Sequence, residues 1–486
     1  MHKTASILDQ YPDYEINIGI EIHVQLTTKS KIFCSSPNCP SQDVNKNICP
    51  VCAGHPGVLP VLNKKVVDYA ILAGLATHCS ITKECTFARK HYFYPDLPKG
   101  YQTTQSNQPI CTEGYITIRL EDNSTKNIRL MRIHMEEDAG KNIHAATSNE
   151  SFVDLNRAGT PLLEIVSYPD IASTYEARTY LKAVHSIVKY LNICSGNMEE
   201  GAFRADTNIS VRKKGAKELG TRCELKNINS FKFISDAIEY EIQRQIELLE
   251  GGHNIRQETR LWDTKNKESI AMRSKEEAAD YLYFTDPDLP LLKIDNEWLS
   301  RMQQSLPELP DAKFNRLVQS VGLHAHEADI LVDDVDLANY FDEASQYTQS
   351  KQLINWILRD FIGYLKEHKI EVFACLVTAK KLARIVDLVE SGAINNNAAK
   401  QIFTDIALSG GDPDHIMQEK GFAQIGSADE LEAIIIEIIA AHPEQVTQYR
   451  SGKDKLFGFF VGQAMQKTKG NANPKILQDL IKKHLQ

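Results

Sequence analysis

Between Ile16 and Leu26 every even position is apolar (Ile16, Ile18, Ile20, Ile22, Val24, Leu26), and every odd one is polar or glycine (Asn17, Gly19, Glu21, His23, Gln25). A two-residue period predicts a strand with one face in a core, and it sets Glu21 and His23 side by side on the other face. Shorter alternations at 204–211 and 222–226, joined by a glycine-containing turn region at 213–220, predict a hairpin. One of its strands shows Arg204, Asp206, Asn208 and Ser210 on a single face, and the return strand shows Arg222, Glu224 and Lys226. Faces this polar are costly to bury, so they line a wet cleft or bind something ionic. Up to about residue 300 the pattern reads as strand-rich with long ordered loops. Beyond the proline-containing stretch 305–310 it becomes helical almost to the end, with a second break at the glycine-proline turn 408–413. The expectation is an α+β chain: a strand-rich domain over 1–300, a helical domain over 301–410 and a small helical tail over 411–486.

Composition adds exclusions. The 486 residues are 42% apolar, 24% charged and 8% aromatic, which is ordinary globular material and neither fibrous nor disordered. No apolar run approaches the ~18 residues that span a bilayer; the greasiest stretch, 431–441, is broken by Glu432 and Glu437. The first fifteen residues lack the basic and apolar regions of a signal peptide, so a cytoplasmic protein without a membrane partner is expected. A net charge of −9 argues against indiscriminate coating of nucleic acid, and no DNA partner is expected. The charge is unevenly spread. Residues 446–486 hold eight lysines and arginines against two acids, a local +6 that leaves −15 on the rest. Such a tail is read as a dedicated surface for an anionic partner or, as readily, as a solvated basic helix end.

Three groups of residues could carry chemistry. Acids gather in Glu21-x-His23, in His134-Met-Glu136-Glu137-Asp138, in Met198-Glu199-Glu200-Gly201 and in Asp206-x-Asn208 with Glu224. Carboxylates with an imidazole and no thiolate suit Mg²⁺ or Mn²⁺, which prefer hard ligands; the plain alternative is a set of independent surface acids. Cys34, Cys39, Cys49 and Cys52 form C-x4-C-x9-C-x2-C, whose closing pair has the knuckle spacing of a structural zinc site. A redox dithiol, buried free thiols and a zinc site lost in descent are its rivals. Structural zinc is preferred, because the strand-then-helix setting of a redox CxxC is missing. The other six cysteines read as small buried hydrophobes. The third group, residues 89–105, has neither period but is dense in aromatics, prolines and long polar side chains. It reads as an ordered irregular loop, with Lys90 and Lys99 as candidates to meet a phosphate or guide a small nucleophile. No P-loop, dinucleotide fingerprint or hydrolase nucleophile signature is present.

The motifs together resemble the B-subunit family of the tRNA-dependent amidotransferases. The likeness runs in order through Gly19-Ile-Glu-Ile-His-Val-Gln-Leu26, Cys49-Pro-Val-Cys-Ala-Gly-His-Pro-Gly57, Tyr92-Phe-Tyr-Pro-Asp-Leu-Pro98 and Arg132-Ile-His-Met-Glu-Glu-Asp-Ala-Gly-Lys141. It continues through Leu155-Asn-Arg-Ala-Gly-Thr-Pro-Leu162, Met198-Glu-Glu-Gly201, Glu224-Leu-Lys-Asn-Ile-Asn-Ser230 and the 461–474 tail, and so covers nearly the whole chain. The resemblance implies a cradle-shaped catalytic domain, a helical domain and a YqeY-like tail. It also implies a chemistry: ATP phosphorylates the side-chain carboxylate of misacylated Glu-tRNA(Gln) or Asp-tRNA(Asn), and ammonia then displaces phosphate. The ammonia would come from a glutaminase A subunit, with a small C subunit completing a heterotrimer. On this likeness Glu21, His23, Glu136, Glu137, Asp206 and Glu224 form or support a Mg²⁺ site, His23 and Glu137 foremost. Lys90 and Lys99 face ammonia and phosphate at a channel mouth, and Lys453, Lys455, Lys467, Lys469 and Lys475 meet the tRNA. Two departures stand out. Many relatives open the zinc motif as Cys-x-Cys, whereas Ser36 holds the second position here and Cys39 is the candidate substitute. Relatives also commonly read Arg-Cys-Asp-Ala-Asn where this chain has Arg204-Ala-Asp-Thr-Asn208. The rival reading is a tRNA-binding module whose centre has degenerated.

Overall fold

A computed structural model describes residues 10–144, 150–228, 230–272, 281–423, 428–468, 472 and 474–485. The chain divides into two compact units, Met1–Arg316 and Leu317–Gln486.

The first unit is built on one nine-stranded sheet. Its strands, in chain order, are β1 (Tyr14–Gln25), β2 (Ser80–Ile81), β3 (Cys111–Arg119), β4 (Thr125–Glu137), β5 (Pro161–Ser167), β6 (Phe203–Lys213), β7 (Cys223–Ile228), β8 (Thr259–Asp263) and β9 (Glu268–Ala271). Across the sheet they run β9-β8-β7-β6-β1-β5-β4-β3-β2, antiparallel except for the parallel pair β7 and β8. The predicted hairpin is present as β6 and β7. The strand with the clearest period, β1, is the central one. Ile16, Ile18, Ile20, Ile22 and Val24 are between 0% and 3% exposed, and each such side chain contributes roughly 1.5–3 kcal/mol on burial.

Three helices supply the other side of that core: α1 (Lys64–Ala76), α2 (Thr174–Tyr190) and α3 (Phe231–Glu250). Each starts where a side chain accepts from a free backbone amide of the first turn, at Asn63, Ser173 and Ser230. In α2 the buried positions Ala177, Tyr180, Leu181, Val184 and Val188 follow the helical period and form one inward stripe. With one face of the sheet against these helices, the opposite face of β1 is left to its polar residues.

The stretch 89–105 is more regular than its pattern implied. Ala88–His91 and Tyr101–Thr104 are strands, paired with each other and, on the outer edge, with Leu282–Thr285. Alternation was hidden because both faces of these short strands carry aromatic or long polar side chains. Only the segment between them is irregular.

The change to helix begins inside the first unit. Helices Asn296–Gln304 and Pro310–Arg316 belong to it, and Trp298, Leu299, Met302, Leu306 and Leu309 pack on the sheet's core. Compactness therefore breaks at 316/317, later than the domain boundary expected at 300/301. Every named element of the second unit among the described residues is a helix. Gly410 and Gly411, at φ of +77° and +109°, end the helix Asn396–Ser409, and Pro413 opens the next one with Asp412 as its cap. Four helices from Ala428 to Leu485 share a core of Leu431, Ile435, Ile438, Val446, Phe460, Ala464, Leu477, Ile481 and Leu485. The architecture is α+β. No helix among the described residues is long and apolar enough to cross a membrane.

Candidate active site

The polar face of the sheet is laid out in rows that cross the strands. Residues paired in antiparallel register point to the same side. Pairing sets His134 of β4 opposite Glu164 of β5, Glu164 opposite His23 of β1, and His23 opposite Arg204 of β6. Glu136 comes from the next row, opposite Leu162. His23 Nε2 lies 3.4 Å from both Glu136 Oε1 and Glu164 Oε2. His134 Nε2 lies 3.2 Å from Glu164 Oε2 and 3.8 Å from Glu136 Oε2.

Burial opposes charge on all four groups, yet the pairing outweighs it. His23 is pushed up to about 10 by its contacts with Glu136 and Glu164, and His134 up to about 9 by the charge of Glu164 and its contact with Glu136. Glu136 is drawn down to about 2 by its contacts with His134 and His23, and Glu164 is held well below the usual carboxylate range by the same two imidazoles. Metal-free, the quartet is two imidazoliums against two carboxylates. His23, Glu136 and Glu164 each offer one ligand atom, all within 4.8 Å of one another. One imidazole nitrogen and two carboxylates with no thiolate fit Mg²⁺ or Mn²⁺. His134 stands behind Glu164, and its buried Nδ1 has no partner among the described residues.

Glu21 shares this face one row away, opposite Asp206. Its carboxylate accepts from Asn208 Nδ2 at 3.1 Å, and it is pushed up by burial and then by repulsion from Glu164 and Glu224. Lys226 bridges Asp206 at 2.8 Å and Glu224 at 3.0 Å, and Glu224 also accepts from Thr259 Oγ1 at 2.7 Å. Three carboxylates thus face one ammonium beside the quartet, leaving this end of the cleft negative.

Glu137 goes elsewhere. As the neighbour of Glu136 at the end of β4 it must point to the opposite side. There it pairs with Lys99 and accepts from the Thr103 backbone amide at 2.8 Å. Together they line a narrow cavity of about 30 Å³ shared with Phe33, Cys34 and Cys52. Lys90 sits over the rings of Tyr281 and Tyr92, at 4.8 and 5.9 Å from their centroids. The five acids and one imidazole named from the sequence therefore fall into three places: His23 with Glu136; Glu21 with Asp206 and Glu224; and Glu137 with Lys99. Glu199 and Glu200 are exposed, their amides turned onto Asn197.

Residues 16–300 match the family model of the GatB/GatE catalytic domain, and residues 339–485 match that of the GatB domain. The chain is 50% identical over 473 residues to the B subunit of the aspartyl/glutamyl-tRNA(Asn/Gln) amidotransferase of Syntrophotalea carbinolica, covering 97% of this chain and 98% of the relative. It is 51% identical over 476 residues to the B subunit of the same enzyme in Geotalea uraniireducens, covering 97% and 99%. The chain belongs to the amidotransferase B-subunit family.

It is thus a component of an enzyme that forms carbon–nitrogen bonds. For this member of the family the sequence reading missed Glu164. The acid sits in Pro161-Leu-Leu-Glu-Ile-Val-Ser167, where all the other residues are buried, so no alternation exposes it. A lone carboxylate inside an otherwise apolar strand was the available signal.

The thiol group is also only partly assembled. Cys34, Cys49 and Cys52 bring their sulfurs within 4.8 Å of one another, whereas Cys39 is exposed and meets Asn47 Nδ2 at 3.6 Å. Ser36 stands where Cys39 was expected: buried, with Oγ 3.8 Å from Cys52 Sγ. The fully buried Lys31 approaches Cys52 Sγ at 3.7 Å. Cys52 is drawn down to about 4 by a hydrogen bond from Cys34, helped by the Cys49 backbone amide and the Lys31 charge, while the Cys34 thiol is pushed up as the donor. Three sulfurs and a hydroxyl are a partial fit to tetrahedral zinc.

In the tail, Lys453 donates to Gln448 at 3.2 Å, Lys455 is exposed and Lys467 pairs with Glu437. Lys469 and the Lys475 side chain lie outside the described residues.

Proposed function

We propose that this chain amidates the side-chain carboxylate of Glu-tRNA(Gln) or Asp-tRNA(Asn) in the cytoplasm, using ATP, as the B subunit of a heterotrimer. A glutaminase A subunit would deliver ammonia, and a small C subunit would complete the complex. The observation that carries the reading is the trio His23, Glu136 and Glu164 on the polar face of the central strands.

A carboxylate is a poor acylating agent because oxide is a poor leaving group. One carboxylate oxygen takes the γ-phosphoryl group of ATP and ADP departs. The nitrogen of ammonia then bonds to the carbonyl carbon, the carbon–oxygen bond to phosphate breaks, and inorganic phosphate leaves as the nitrogen gives up a proton. A Mg²⁺ held by His23, Glu136 and Glu164 would neutralise phosphoryl charge. The chain's own groups do the rest. Glu21, Asp206, Glu224 and Lys226 shape the negative end of the cleft. The Lys99–Glu137 pair, on the opposite side of β4, would hold ammonia on its way to the cleft, and Lys90 would add positive charge to that route. The thiol trio with Ser36 would take a structural zinc. Lys453, Lys455 and their neighbours in the tail would meet the tRNA through its backbone and shape.

The test uses the purified complex with ATP, Mg²⁺ and Glu-tRNA(Gln). Substrate-dependent ATP cleavage is expected, and His23→Ala should lower it by orders of magnitude while leaving tRNA affinity intact. Turnover unchanged in that variant would refute the site.

A further inference from the structure

We infer that Arg204 is the anion-binding group of this cleft, its guanidinium holding a phosphoryl oxygen of the group in transfer beside His23. The inference rests on the phosphorylating reading above and assigns a residue to it.

The cleft poses an electrostatic problem. Glu136, Glu164, Glu21, Asp206 and Glu224 share this face, where His134 and Lys226 balance only part of their charge, so a triphosphate or a substrate carboxylate meets negative charge that one divalent cation offsets only in part. The side chain that answers it must be a cation, must lie beside the trio and must have donors to spare.

Most nearby cations fail the last condition. Lys226 is divided between Asp206 and Glu224, and Lys99 is paired with Glu137. Arg157 spends Nε on Ala139 O at 3.1 Å and Nη2 on Gly140 O at 2.7 Å. Arg204 meets all three conditions. Register places it directly across from His23, at the end of the row His134–Glu164–His23–Arg204. Its side chain is 33% exposed, and among the described residues its partner is Asp138, through Nη2 to Oδ2 at 3.2 Å. Asp138 does not depend on that contact, since it also accepts from Gln25 Nε2 at 2.9 Å and faces Arg157 Nε at 3.4 Å. The remaining N–H groups of the fork are available to a phosphoryl group, the geometry for which guanidinium is best suited.

The test compares wild type, Arg204→Gln, Arg204→Lys and the double variant Arg204→Gln with Asp138→Asn, each in the assembled complex. Substrate-dependent ATP cleavage is read with ATP and Glu-tRNA(Gln), and cation binding is read separately by Mn²⁺ electron paramagnetic resonance. Arg204→Gln should lose about 100-fold or more in kcat, the scale of removing one preorganised donor from a transferring centre, with Mn²⁺ affinity unchanged. Arg204→Lys should recover part of the rate, because charge is kept and the fork is lost. The double variant should stay as slow as Arg204→Gln. Wild-type kcat in Arg204→Gln would overturn the inference. So would rescue by Asp138→Asn, which would make Arg204 a mere counter-charge, or Mn²⁺ affinity falling in step with rate. Absence of ATP cleavage in the wild type would instead bring down the phosphorylating reading itself, and the inference with it.

Discussion

Replacing Glu164 by Gln keeps the shape of the side chain and removes its charge from between two imidazoles, 3.4 Å from His23 and 3.2 Å from His134. Two effects follow. The candidate cation site falls from two carboxylates to one, and Mn²⁺ affinity of the purified complex should drop by at least the roughly 10–100-fold seen when mere supporting groups of metal ligands are lost. The metal-free protein should also change its dependence on pH. His23 and His134 titrate at about 10 and about 9, above the ordinary 6.5, so their contribution to stability is complete below pH 6.5 and lost as pH rises through 9 to 10. Glu136 and Glu164 are lowered, so theirs is present above about pH 4.5 and lost as pH falls, toward about 2 for Glu136. For His23 the rise corresponds to on the order of 4–5 kcal/mol, at about 1.4 kcal/mol per pH unit. Thermal unfolding of metal-free wild type should therefore show a plateau near pH 5–6 and a decline toward pH 10. In Glu164→Gln the imidazoles lose a partner, so the decline should still begin near pH 6.5 but be smaller and end at lower pH, and Mn²⁺ should restore less of it. An unaltered alkaline limb together with unaltered Mn²⁺ affinity would refute the assignment of Glu164 to this centre.

Ile20→Ala, in the fully packed middle of β1, should cost about 2–5 kcal/mol in chemical denaturation, the range for emptying a buried aliphatic site; a loss under 1 kcal/mol would contradict the packing. Ser36→Cys should raise the zinc content of purified protein by completing the sulfur set, whereas Cys39→Ser should leave it unchanged. Elemental analysis reads both, and zinc loss in Cys39→Ser would return that residue to the centre.

What could be read from the sequence follows from one-sided burial. β1 separates core from cleft residue by residue, so its span and its two chemical side chains were visible in the period. The hairpin of β6 and β7 was visible for the same reason. β5 is covered on both faces, and its one carboxylate has no polar neighbours in sequence to mark it. Between Glu136 and Glu137 the composition is silent; the pairing of Glu136 with Leu162, in line with His134 two residues earlier, decides which one meets His23. Cysteine spacing allowed Cys39 into the thiol group, but the turn around Ser36 places the serine against Cys52 instead. Where the fold leaves one unit for the next depends on what the helices 296–304 and 310–316 pack upon, a long-range fact that local period does not contain.

The row His134–Glu164–His23–Arg204 has an outcome for biogenesis. Its members are drawn from four strands that are neighbours in space but up to 181 residues apart along the chain, with the earliest-made strand lying between later ones. No contiguous fragment shorter than residues 23–204 carries the set, and a ribosome must release β6 before the last member can be seated. The complete row is in consequence seated only after β6 has been made, and a chain clipped before residue 204 lacks its last member.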